Sequence, residues 1–72
     1  MFSKKIFGQR LRQLRIDRQE KQEVLAELIG VSVAQTSGME SGNNATTLEK
    51  LVLICEHYHV SSDYLLGLSD SR

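Results

Sequence analysis

The stretch Gln22-Glu23-Val24-Leu25-Ala26-Glu27-Leu28-Ile29-Gly30-Val31-Ser32, followed by Met39-Glu40-Ser41-Gly42, decides how the chain is read. Leu25, Leu28 and Ile29 recur at the three- and four-residue spacing of one helix face. Gly30 can take the left-handed backbone that ends a helix, and Ser32 can cap the next one two residues later. The result is two short helices joined by a tight turn, a helix-turn-helix. In such a unit the second helix can enter the major groove of DNA while the first crosses the backbone.

Working outward, Ile6, Phe7, Leu11 and Leu14 lie on one face with arginines between them, so about Ser3 to Arg18 reads as an amphipathic helix with Ser3 as its cap. The second helix is expected over about Lys21 to Ile29, and the third from Val33 to Met39 or Ser41. The loop Gly42-Asn43-Asn44-Ala45 leads to Thr46 or Thr47 as the cap of a fourth helix, with Glu49 completing a capping box with Thr46. Leu48, Leu51, Val52, Cys55 and Tyr58 form its apolar stripe. Ser61 or Ser62 can start a last short helix through Asp63-Tyr64-Leu65-Leu66, which Gly67 stops. Five helices without a strand predict an all-α bundle over residues 1–68, followed by a short polar tail, 69–72.

Seventy-two residues suffice for one domain that buries about 60% of its unfolded surface. The single cysteine and the lack of proline give no sign of a disulfide scaffold, so a cytoplasmic setting is expected. No apolar run approaches the roughly 18 residues a membrane span needs, and no membrane partner is expected. The net charge is zero, yet Lys4, Lys5, Arg10, Arg12, Arg15 and Arg18 face only one acid, Asp17, within the first 18 residues. The remainder carries eight acids against three bases. Such a basic segment, Lys4 and Arg10 included, suits contact with phosphates while the acidic remainder faces water.

The order of these elements resembles the phage repressor and Cro type of helix-turn-helix domain. The resemblance is carried by Phe7-Gly8-Gln9-Arg10-Leu11-Arg12-Gln13-Leu14-Arg15, Gln22-Glu23-Val24-Leu25-Ala26, Gly30-Val31-Ser32, Glu40-Ser41-Gly42 and Val60-Ser61-Ser62-Asp63-Tyr64-Leu65-Leu66-Gly67. It implies a transcriptional regulator of bacterial or phage origin, repressor-like, that binds double-stranded DNA in sequence-specific fashion as a homodimer. Arg15 would pair with Glu40 as a structural ion pair. Gln22, Ser32, Asn43 and Asn44 would approach DNA phosphates, and Val33, Ala34, Gln35, Ser37 and Gly38 would face base edges. Helix 5, with Leu65, Leu66 and Leu68, is the expected dimer contact.

Several positions depart from the family pattern. Among the reading positions only Gln35 can make bidentate contacts to a base, while Val33 and Ala34 can pack on thymine methyls. Thr36 and Glu20 stand where large aliphatics are usual, and Gln19 and His59 where helices usually end in glycine. Ile16, Val24, Val33 and Leu53 are apolar at expected surface positions; clustered, they would favour a protein-interaction module, a partner or antagonist of another regulator with weak or no DNA reading. Cys55 reads as a packed thiol, and His57 and His59 point to different sides of a helix. With no metal set, phosphate loop or activated nucleophile, neither an enzyme, a metal, a cofactor nor a small-molecule ligand is expected.

Overall fold

Ser3 starts the first helix by accepting a hydrogen bond from the Ile6 amide at 3.1 Å, and α1 then runs Lys4–Asp17. In the computed structural model, which describes residues 1–72, four more helices follow: α2 Gln22–Ile29, α3 Val33–Glu40, α4 Leu48–Tyr58 and α5 Ser62–Leu65. Gly30 ends α2 with φ 70°, a left-handed turn glycine makes without a Cβ penalty. The fold is the all-α bundle the sequence predicts. Its core gathers Phe7, Leu11 and Leu14 from α1, Leu25 and Ile29 from α2, Met39 from α3, Leu51, Ile54 and Tyr58 from α4, and Tyr64 and Leu65 from α5. Cys55 packs against that core, and burial raises its thiol pKa above the ordinary value.

Of the two threonines expected as alternatives at the start of α4, one serves as the cap. Thr47, not Thr46, caps α4 by accepting from the Lys50 amide at 3.2 Å. The helix therefore begins one residue later, Glu49 falls too early to reach back to the cap, and no capping box with Thr46 forms. Thr46 Oγ1 is instead buried without a partner. A capping box does form at α3, between Ser32 and Gln35.

The unusual residues find specific accommodations. Gln19 and His59 take left-handed backbone at φ 57° and φ 56°, so helix ends that glycine usually makes are made here by side-chain-bearing residues. Thr36 is fully buried, and its hydroxyl donates to the Ser32 carbonyl one turn back at 3.1 Å, which satisfies the polar atom. Glu20 swings over the end of α4, accepting from Tyr58 Oη at 2.7 Å and lying 2.8 Å from His57 Nε2. Desolvation alone would raise the Glu20 pKa, but the hydrogen bonds from Tyr58 and His57 outweigh it and hold the carboxyl below 4.5. Burial, then the bond to Glu20, pushes the Tyr58 phenol well above 10.0.

The recognition-type helix α3 is tied to α1 by charge. Arg15 Nε lies 2.6 Å from Glu40 Oε2 and Nη2 lies 3.0 Å from Oε1, a two-pronged pair, while Nη1 donates to the Glu20 carbonyl at 2.6 Å. The Arg15 and Glu40 side chains are only 12% and 3% exposed, so each charge depends on the other. Gly8 lets the backbones meet, because a Cβ there would fall 2.3 Å from the Met39 carbonyl oxygen.

Removing one partner strands a buried charge, so Arg15→Ala is expected to cost about 3 kcal/mol in urea unfolding. An unchanged midpoint would show that the pair contributes nothing to stability. The Glu20 cluster sets a pH window. Its carboxyl, depressed on folding, contributes stability that is present above about pH 4.5 and lost as pH falls through its lower folded pKa. The Tyr58 phenol, raised on folding, contributes stability that is present below pH 10.0 and lost as pH rises towards its higher folded pKa. Melting temperature against pH should therefore fall at both ends, and Glu20→Gln should flatten the acid limb.

Candidate nucleic-acid interface

At about 100° per residue, Thr36, Met39 and Glu40 share the buried side of α3, while Ala34 and Gly38 stand at the centre of the opposite side. Val33, Ser37 and Gln35 flank them, and all three are exposed. The five expected base-facing positions thus occupy one continuous outward face. Their chemistry is sparse: two small hydroxyl or apolar side chains, one valine, one glycine and one carboxamide.

That carboxamide is committed. Gln35 Oε1 accepts from the Ser32 amide at 3.0 Å, and the Ser32 hydroxyl accepts from the Gln35 amide at 3.0 Å. Bidentate recognition of adenine needs the oxygen and the nitrogen of one carboxamide together, and here the oxygen already serves the helix start. Gln35 is a capping residue first, which the Ser32-x-x-Gln35 spacing announces in the sequence.

The phosphate candidates separate into two groups. Ser32 and Gln22 lie at the N-termini of α3 and α2, though the Gln22 amide is turned inward and donates to Glu40 Oε1 at 3.2 Å. Lys4, Asn43 and Asn44 are exposed, with Asn43 donating to Ser41 Oγ at 3.3 Å. Arg10 belongs elsewhere. It projects from the flank of α1 that packs on α5, where its guanidinium donates to the carbonyls of Tyr64 and Ser69, pairs with Asp70 at 2.9 Å and stacks 4.5 Å from the Tyr64 ring centre. A phosphate contact for Arg10 is therefore withdrawn: its donors hold the C-terminal segment. Arg15 is bound to Glu40, and Arg18, itself exposed, lies 5.2 Å from the Tyr58 ring centre, so half of the basic N-terminal set has a partner within the chain.

Two cations outside the expected set of phosphate-contacting residues lie beside the outward face. Arg12 lines a polar depression with Gln22, Ser37, Glu40 and Ser41. Lys50 lines a cleft of about 420 Å³ with Gln35, Asn44 and Thr47. Helical phase gives the signal for Arg12, since it shares a flank of α1 with Gly8 and Arg15, which meet α3.

Residues 6–66 match the family described as helix-turn-helix domain. The chain is a helix-turn-helix domain of the phage repressor and Cro type. It is 43% identical over 65 residues to YobD of Bacillus subtilis (strain 168), an uncharacterized HTH-type transcriptional regulator, covering 90% of this chain and 58% of that protein. It is 31% identical over 71 residues to the HTH-type transcriptional regulator PrpR of Mycobacterium tuberculosis, covering 99% of this chain and 15% of PrpR. The chain therefore spans little more than half of one relative and a small part of the other. Among solved structures, the P22 c2 repressor in complex with synthetic operator 9T superposes with a TM-score of 0.81 at 28% identity, covering 89% of this chain and 97% of that one. The restriction-modification controller protein C.AhdI from Aeromonas hydrophila gives a TM-score of 0.74 at 31% identity, covering 86% and 94%. In this helix-turn-helix domain the turn of the motif is Gly30-Val31-Ser32, the N-terminal part of α3 is fixed by its own capping box, and its C-terminal end by Arg15.

Because Gln35 serves the cap, Gln35→Ala is expected to lower stability by about 0.5–1 kcal/mol, and Gln35→Glu, which keeps an acceptor at that position, to retain most of it. Paired thermal melts check this. Equal melting temperatures for the parent and the alanine variant would remove the capping role.

Proposed function

We propose that this domain binds double-stranded DNA sequence-specifically, with α3 in the major groove, as part of a bacterial or phage transcriptional regulator acting in the cytoplasm. The observation that carries the proposal is the continuous outward face of α3, exposed but for Gly38 at its centre and held at both ends, within a domain family whose relatives are named transcriptional regulators. The P22 c2 repressor, similar over nearly its whole solved chain, is seen with an operator. Val33, Ala34, Ser37 and Gly38 approach base edges. Gln22, Ser32, Asn43 and Lys4, joined by Arg12 and Lys50, approach phosphates. The domain works by binding and catalyses nothing.

The domain acts as a homodimer on a two-fold site. Leu65, expected at the dimer contact, is fully buried in the core and is removed from it. Leu48, 81% exposed, instead borders an apolar groove of about 270 Å³ lined also by Phe2, Leu51 and Leu66, and Val52, 55% exposed, lies one turn on along α4. Ala45, Thr46 and Thr47 line both this groove and the cleft beside α3, so a second copy seated there brings two α3 helices to one side of the pair. The four aliphatics Ile16, Val24, Val33 and Leu53 are each close to 40% exposed and spread over four different helices. Each of them is less exposed than Leu48 or Val52.

Selection of bound duplexes from a random library, followed by titration of the winner and a scrambled control across salt, tests the proposal. The expected result is an enriched two-fold motif bound well above the control. No enrichment, with weak binding that salt abolishes, would overturn it in favour of a protein-interaction module. Leu48→Glu should shift the mass in light scattering towards a monomer with little change in melting temperature.

A further inference from the structure

Gly38 stands at the centre of the outward face of α3, yet it is only partly exposed. What covers it is Asn44. An ideal Cβ on Gly38 would fall 2.3 Å from Asn44 Nδ2 and 3.3 Å from its Cγ, so the carboxamide occupies the space a residue-38 side chain would take. The backbone holds it there. After Ser41 the chain turns back through Gly42, at φ 85°, and the amides of Asn43 and Asn44 both donate to the Gly38 carbonyl, at 2.9 and 3.3 Å. Asn43 uses its own amide on Ser41 Oγ, whereas the Asn44 side chain is exposed and has no such partner.

We infer that Asn44 is a specificity-determining residue, supplying from the loop the carboxamide that the middle of α3 lacks. Asparagine can donate to and accept from the N7 and N6 edge of adenine at once, which makes an A·T pair in the major groove its fitting target. Gly38 is then part of the same device, because any side chain there displaces the Asn44 amide. Asn44 moves from the phosphate set to the base-reading set. The inference rests on the DNA-binding proposal above and names one of its readers.

The test measures base preference at every site position for the parent, Asn44→Ala, Gly38→Ala and the double variant, each checked for folding by its melting curve. Asn44→Ala is expected to lose on the order of tenfold discrimination at one base pair per half-site and to leave the other positions unchanged. Gly38→Ala should lose preference at that same pair, and the double variant should be no worse than either single one. Unchanged preference in Asn44→Ala, or an affinity loss spread evenly over all sequences as a phosphate contact gives, would overturn the inference while leaving DNA binding intact. A parent protein that selects no motif would overturn the DNA-binding proposal itself, and the reader with it.

Discussion

The ion pair between Arg15 and Glu40 is the constraint on which the outward face depends. An eight-residue helix does not hold together alone in water, and α3 commits only Thr36, Met39 and the carboxylate of Glu40 to the interior. Its order must come from its surroundings. At one end the Ser32 and Gln35 capping box closes the first turn; at the other, Arg15 holds Glu40 with two donors while Gly8 lets α1 approach the last carbonyls. The same guanidinium binds the Glu20 carbonyl, so one side chain sets the spacing of α1, the α1–α2 turn and α3.

Long polar side chains do elsewhere what larger domains do with apolar ones. Glu20 joins the turn before α2 to the end of α4 through Tyr58 and His57, and Arg10 gathers two carbonyls and a carboxylate of the C-terminal segment against α1. A chain of this size has little apolar surface to bury, and satisfied polar bridges between elements can add order without adding core volume. They also explain a neutral protein with a cation-rich first helix. Half of those cations contact groups within the chain, Arg18 among them although it is exposed, leaving Lys4, Lys5 and Arg12 as the exposed positive groups of that segment without such a contact.

The helices, their order and most of their caps were legible because they rest on local rules. Leucine spacing in α1 and α2, Gly30 and the serines at 3, 32 and 61 each act within a turn or two of the chain. What local pattern could not supply was the partner of a long side chain. Nothing in the residues around Arg10 indicates a bond to carbonyls more than fifty positions away, and Glu20 looked like a lost leucine until α4 was placed beside it. Leu65 and Leu68 are alike in sequence, but the short turn of α5 sends the first into the core and leaves the second 74% exposed. Gln35 is a different case. Its capping spacing is local and stands in the sequence, where the same carboxamide also fits base recognition.

On the DNA-binding proposal, a recognition face of valine, alanine, serine and glycine places a limit on what α3 itself can discriminate. Packing on a thymine methyl is worth about 0.8 kcal/mol per buried carbon, whereas a bidentate carboxamide or guanidinium contact discriminates by roughly 1–3 kcal/mol. Small side chains have a compensating effect, since they let the α3 backbone and the loop after it sit closer to the groove than long ones would. Residues from outside the helix can then reach the bases. The fold provides for this, because the loop turns back at Gly42 onto the α3 carbonyl at position 38. A helix that reads little by itself thus serves as a closely fitting platform, and discrimination passes to what surrounds it: the loop carboxamide, the shape of the DNA, and the spacing set by a second copy.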